Sequence, residues 1–200
     1  GGDDVDNIIA DAIIKNVKGF DRKKAYGVML ANARGARCPE YLEKGWVPGK
    51  GKMMSCSYTM EYAYNDDCLS RIAGIMGDSA TAAAMAERSR QWENIFDPAL
   101  ESHGFKGFIA PREADGTRIA IDAAKVYGPW VDYFYEGNSW TYTLFTPSHI
   151  ERLIKLCGGK KEMLRRLQYG FDNGLVDIAN EPGFLAPFIF SHCDRPDLTA

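Results

Sequence analysis

No apolar run in the 200 residues reaches the roughly 18 that a bilayer span needs, which excludes a transmembrane helix. The first residues, Gly1-Gly2-Asp3-Asp4, supply neither a basic stretch nor an apolar one, so no signal peptide is expected. An excess of charge of one sign is missing too. Lys and Arg number 24 against 27 Asp and Glu, a net charge of −3, and the longest basic run is Arg22-Lys23-Lys24. That balance argues against nucleic acid as the main partner. Histidine is scarce, and His103, His149 and His192 lie apart with no Ser or Cys in a nucleophile motif. Cysteine occurs five times, at positions 38, 56, 68, 157 and 193, never as C-x-x-C, and an odd number cannot pair completely. The nearest Cys/His pair, His192-Cys193, is adjacent and poorly placed to hold one zinc ion. Free, largely buried thiols are expected, with Cys56 and Cys68 left as a possible bridge. P-loop, Rossmann and zinc motifs are all absent.

What is present is an ordinary globular composition, 46% hydrophobic and 26% charged. A chain of this length can bury about 70% of its unfolded surface, enough for its own core. Apolar residues at Val5, Ile8, Ile9, Ala12, Ile13 and Val17 recur at helical spacing, and Gly19 stops them. Asp21 caps a second helix bearing Ala25, Val28, Met29 and Ala33. A long Gly/Pro loop is expected from Cys38 to Met54, then helices over about 57–75 and 79–95. Residues 99–137 read as an irregular excursion that could hold a hairpin, with turn signals at Asp115-Gly116 and Gly128-Pro129. Helices resume near Asn138, with Ser148 and Glu151 in capping-box spacing, a further helix over 160–169 and a last one over 182–191. The expected fold is all-α and one domain over 1–200, made of consecutive helical hairpins.

Three places gather acidic, amide and aromatic residues. In Tyr58-Thr59-Met60-Glu61-Tyr62-Ala63-Tyr64-Asn65, Glu61 lies one turn from Tyr58 and Asn65, though a solvated acidic face would look the same. In Tyr135-Glu136-Gly137-Asn138-Ser139-Trp140, a carboxylate sits at a loop-to-helix junction among aromatics. Aromatic faces stack on sugar rings, and their low polarity favours the protonated carboxyl that a general acid needs. A first-turn acid complementing the helix dipole is the plainer account. In Asn180-Glu181-Pro182, two hard oxygen donors suit calcium, which takes about six to eight ligands; an N-cap Asn with a first-turn Glu is equally consistent.

Taken in order, these places resemble glycoside hydrolase family 92, the calcium-dependent exo-acting α-mannosidases. Gly2-Asp3 through Ile9-Ala10-Asp11-Ala12 is similar to that family's G-D-H-A…I-x-D-A segment, and Lys18-Gly19-Phe20-Asp21 to its K-G-[IF]-x-G-F-D junction. Gly45-Trp46-Val47-Pro48 resembles its G-Y-V-P loop, and the run from Thr59 to Asp66 its T-L-E-Y-A-Y-D-D. Arg88-Ser89, Asn94-Ile95-Phe96-Asp97-Pro98, Pro111-Arg112 and Asp115-Gly116 continue the order. Glu136-Gly137-Asn138-Ser139-Trp140 then resembles E-G-N-A-W, and Asn180-Glu181-Pro182 the family's N-E-P. Gly183-Phe184 stands where many members continue S-H-H, which alters the pocket for the leaving sugar.

The resemblance implies part of an (α/α)6 toroid and hydrolysis of terminal α-mannosides, of α-1,2 type, with inversion. It implies Glu136 as general acid, Asn180 and Glu181 as calcium ligands, and Asp3, Trp46, Asn138 and Trp140 at the mannose pocket. Partners implied are a mannose-containing glycan and the other domains of a longer, secreted or periplasmic parent. Its N-terminal β-sandwich and base-bearing segment would lie outside these residues, leaving the isolated segment inactive. Two alternatives stand beside this reading. A mannose phosphodiester hydrolase of the same family is disfavoured because Glu136 is retained where such relatives carry Gln. A non-catalytic helical module that holds mannosides or a protein is the other.

Overall fold

The computed structural model describes residues 5–199. They are mainly helical with one two-stranded sheet, in keeping with the expected class. They form two compact units, residues 1–46 with 61–94 and residues 47–60 with 95–200.

In the first unit, α1 (Val5–Ile14), α2 (Arg22–Ala31) and most of α4 (Ser55–Ile75) enclose a core of Ala10, Ile13, Tyr26, Met29, Leu69 and Ile72. The buried face of α1 is Asp6, Ala10 and Ile13, whereas Val5, Ile8 and Ile14 are exposed. The face is therefore turned from the apolar stripe of the sequence, because Asp6 is drawn inward by Arg37 Nη2 at 3.5 Å and Asn32 Nδ2 at 2.9 Å. Asp21 caps α2 by accepting from the backbone N–H groups of Lys23 and Lys24, as its position predicts. A short helix, α3 (Pro39–Lys44), occupies the start of the stretch expected to be all loop. It has proline in its first turn and left-handed Gly45 after its end, both ordinary helix boundaries. Helix α5 (Ser79–Arg88) starts at the Asp78 cap and tightens into a 3-10 turn, Ser89–Ile95.

The second unit opens its sheet with β1 (Phe96–Ser102) and β2 (Phe105–Ile109), antiparallel, Phe96 opposite Ile109 and Ser102 opposite Phe105. The hairpin starts before the expected excursion at 99. Its two-residue turn, His103-Gly104, has positive φ at both positions (51° and 79°), matching the twist of a tight hairpin. Pro98 is accommodated by the register shift between Asp97 and Glu101. Helix α6 (Ser139–Leu144) is wholly buried, followed by α7 (Ile150–Leu156), α8 (Lys160–Asp172) and α9 (Ile189–His192). Phe105, Phe108 and Trp140 pack ring on ring, and buried Arg166 of α8 donates to the carbonyls of Gly107 (2.8 Å) and Lys106. The expected capping box at Ser148 is not formed: His149 is the N-cap of α7, and Glu151 pairs with His192 Nδ1 at 3.0 Å. The last expected helix is broken into 3-10 turns, Glu181–Gly183 and Ala186–Phe188, before α9.

All five cysteines are free, four of them buried, so Cys56 and Cys68 do not bridge. Burial pushes the Tyr64 and Tyr127 phenols up to about 12 and holds Tyr41 well above its usual range, Asp66 adding to the last. An unfolded chain ionises its phenols near pH 10, releasing protons that the fold retains. The contribution is therefore full below that pH and is lost as pH rises above it. Denaturant midpoints should hold steady to about pH 9 and fall between about 10 and 12; a midpoint unchanged at pH 11 would contradict this.

Candidate active site

The site is built on the loop from Tyr127 to Gly137, closed by paired backbone bonds, Tyr127 N–H to Gly137 O at 2.8 Å and Gly137 N–H to Tyr127 O at 3.1 Å. Gly128-Pro129 supplies the turn, and Glu136 N–H donates to the Gly128 carbonyl at 3.3 Å. The loop's far side rests on the start of α4, whose first N–H groups have no partner within their own helix. Cys56 and Ser57 N–H donate to Tyr133 O (2.9 and 3.3 Å), and Ser57 Oγ accepts from Tyr135 N–H at 2.9 Å. Phe134 is buried between these anchors, which leaves Tyr135 half-buried and Glu136 exposed.

Glu136 holds a left-handed backbone, φ 44°, a conformation costing a non-glycine residue about 1–3 kcal/mol and characteristic of functional positions. Its neighbours fix it. Tyr142 Oη donates to Tyr135 O at 2.9 Å, and a Cβ on Gly137 would stand 3.1 Å from the Tyr142 ring.

The Asn180-Glu181 segment reaches the same place from 44 residues away. Asn180 Nδ2 lies 3.2 Å from Glu136 O and 3.4 Å from Glu136 Oε2, while its Oδ1 accepts from Glu181 N–H at 3.0 Å. The two segments meet because the start of α6 holds the chain leading to Asn180. Asn138 Nδ2 donates to Leu175 O at 3.0 Å, and Thr141 Oγ1 accepts from Asp177 N–H at 3.2 Å. Gly183 completes the turn, since a Cβ there would collide with the Asp177 carbonyl. The Tyr135 phenol is raised above its ordinary range by desolvation, then by the charge of Glu136 and a hydrogen bond to it, and by the charge of Glu181. It therefore stays a donor toward the carboxylates.

Sequence-expected residues divide accordingly. Glu136, Asn180 and Glu181 come together. Asn138 and Trp140 are buried and hydrogen-bonded within the fold. Asn138 caps α6 through Thr141 N–H at 2.8 Å, and Trp140 is 1% exposed, its indole N–H on Ser102 Oγ at 3.1 Å. Trp46 is half-buried and belongs to the first unit, as does Glu61. Asp3 lies outside the described residues. Two neighbours of Glu136 escaped the sequence reading as site residues: Tyr135, and Trp130, whose ring stands edge-on to Tyr135 at 5.6 Å. The only signal for Trp130 was the Gly128-Pro129 turn before it.

Because both ends of the Asn138 amide are spent on backbone, Asn138→Ala should cost about 1–2 kcal/mol in stability and leave substrate KM in place. A raised KM at wild-type stability would instead return Asn138 to the pocket.

Among the described residues no group of three or more His, Cys, Asp or Glu is assembled to hold a metal. The donors at hand, the Glu181 and Glu136 carboxylates and Asn180 Oδ1, are hard oxygens. They fit calcium in kind and cannot fill its shell of about six to eight alone.

The whole chain, residues 1–200, matches the glycosyl hydrolase family 92 catalytic domain. An uncharacterized secreted glycosidase of Arthroderma benhamiae is 29% identical over all of this chain, which spans 30% of that protein. A family GH92 alpha-mannosidase from Bacteroides thetaiotaomicron, solved in complex with mannoimidazole, is 26% identical with a TM-score of 0.83. There 98% of this chain covers 28% of the solved one. The GH92 family glycosyl hydrolase ccman5 gives 25% identity and a TM-score of 0.79, with 100% of this chain covering 27% of it. The chain thus spans less than a third of the length of these relatives and shares the fold of the two solved structures over almost all of its own length. By that match, which leaves no part of the sequence uncovered, the chain belongs to glycosyl hydrolase family 92.

Proposed function

We propose that this chain is the acid-bearing portion of a longer exo-acting α-mannosidase, of α-1,2 type, that works by inversion. The observation that carries the reading is Asn180 Nδ2 against the carbonyl and carboxylate of Glu136. It unites the two segments that the family resemblance assigns to one centre.

Glu136 is the general acid. It projects from a closed loop with its backbone fixed, in reach of a glycosidic oxygen arriving from solvent. A sugar seated over it removes water, which favours the protonated form that donation requires. Asn180 aims the carboxyl by hydrogen bonding, which narrows the rotamers from which the proton is delivered. Inversion needs a second carboxylate about 6.5–9.5 Å away to activate water on the opposite face. We place that base outside this chain.

Glu181 and Asn180 would contribute oxygen ligands to calcium, with the rest of the shell supplied by other segments. When bound, calcium would supply electrostatic stabilisation to the sugar as its ring approaches the transition state. A secreted or periplasmic location accords with the name of the fungal relative, and among the described residues no helix is long and apolar enough to cross a membrane.

The test is hydrolysis of α-mannobiose by the parent enzyme. A chelator should abolish it, calcium should restore it, and Glu181→Gln should raise the calcium needed for half-restoration by about tenfold or more. Turnover indifferent to chelator would remove calcium from the reading.

A further inference from the structure

Glu136 accounts for proton delivery and Asn180-Glu181 for a metal, but at Gly183-Phe184, where many relatives carry polar residues toward the leaving sugar, this chain offers no polar side chain to receive it. Among the described residues, the loop that carries Glu136 also carries a conspicuously exposed aromatic. Trp130 is 58% exposed, where a large aromatic normally seeks cover, and its φ of 57° is a left-handed value that bulky residues avoid. Exposure and backbone strain at one residue both oppose stability, and packing among the described residues explains neither.

The indole is nonetheless held in place. Its ring is edge-on to Tyr135 at 5.6 Å and 74°, and Tyr135 directly precedes Glu136 in the loop. The next residue, Val131, is fixed by its carbonyl, which accepts from Met54 N–H at 2.9 Å. A rigid, solvent-facing indole two rings from a carboxyl suits a sugar, whose C–H face stacks on aromatic surface while its hydroxyls stay in water.

From this arrangement, and resting on the mannosidase reading above, we propose that Trp130 is the stacking platform for the leaving-group sugar. The side of the acid matters to the assignment. Asn180 reaches Glu136 directly and, with Glu181 beside it, would hold the mannose being cleaved, whereas the ring contact of Trp130 is with Tyr135, the residue before Glu136. The acid gives its proton to the oxygen that leaves with the second sugar, so a ring displaced from Glu136 by one residue belongs to that sugar.

The experiment compares two substrates in the parent enzyme. α-Mannobiose carries a leaving sugar, whereas α-mannosyl fluoride carries only fluoride, which departs without stacking or protonation. Trp130→Ala should lower kcat/KM for mannobiose at least about tenfold, mainly through KM, and move that for the fluoride by no more than about threefold. Trp130→Phe, which keeps an aromatic face, should recover most of the loss. An equal fall on both substrates with a lowered Tm would make Trp130 a packing residue and overturn the proposal. No change on either would overturn it too. In both cases a wild type that loses mannobiose turnover on Glu136→Gln would leave the mannosidase reading intact. A wild type inactive on both substrates would take the reading and the platform down together.

Discussion

Glu136→Gln in the parent enzyme should lower kcat on α-mannobiose by about 10²- to 10⁴-fold, the usual value of a positioned general acid. Glutamine keeps the size of the side chain and can still meet Tyr135 and Asn180, so the loop closed by Tyr127 and Gly137 should stand and KM should change little. What disappears is the proton for a leaving group that is otherwise an alkoxide. α-Mannosyl fluoride, with its better leaving group, should therefore be much less affected, and the ratio of the two losses separates missing acid catalysis from a damaged site. Similar losses on both substrates would mean that Glu136 supports the pocket rather than the proton transfer. An unchanged rate on mannobiose would remove it from the mechanism. The same comparison addresses the phosphodiester alternative, in which the leaving phosphate makes an acid dispensable.

Local signals in the sequence carried far in some elements and misled in others. Asp21 and Asp78 cap the helices they precede because an N-cap is a contact within four residues, complete in itself. The hairpin over 96–109 falls at the start of the expected excursion, but its exact place depends on a turn, His103-Gly104, in which a histidine accepts positive φ. Composition does not announce such a residue. On α1 the apolar stripe named Ile8, yet the buried residue is Asp6. A carboxylate reads as surface until its distant cation is known, and Arg37 is 31 positions away. The candidate site divides in the same manner. Glu136 and Asn180 were legible from their flanking motifs, but their meeting depends on Asn138 and Thr141 holding residues 175–177, a tertiary tie with no sequence signature. Asn138 and Trp140 share a motif with Glu136, and their burial at the start of α6 supports the loop that carries it.

Asp66, at the end of the Thr59–Asp66 run, should prove to be a keystone of the first unit. Asp66→Asn should destabilise the protein by about 3–5 kcal/mol, the range for breaking a buried ion pair from one side. Its carboxylate is fully buried and every acceptor position is used. Oδ1 takes bonds from Arg37 Nη1 and from Arg88 Nη2 at 2.6 Å; Oδ2 takes them from Arg88 Nε at 2.8 Å and Tyr41 Oη at 2.9 Å. Arg88 is thus held as a two-pronged fork, the geometry in which guanidinium and carboxylate bind most strongly. Burial opposes the Arg88 charge, yet its hydrogen bond and attraction to Asp66 leave it held above its usual range. With Asp6 facing Arg37, two carboxylates balance two guanidiniums. An amide at position 66 removes one negative charge, leaves net positive charge in the interior, and turns an N–H₂ toward donors. A double-mutant cycle with Arg88→Ala should then show coupling toward the upper end of about 0.5–3 kcal/mol, since the second change removes a charge that the first has stranded. Loss of less than about 1 kcal/mol in the single variant, read from the denaturant midpoint, would mean that water reaches the cluster. The four groups would then be ordinary surface ions, and the inward turn of α1 would need another cause.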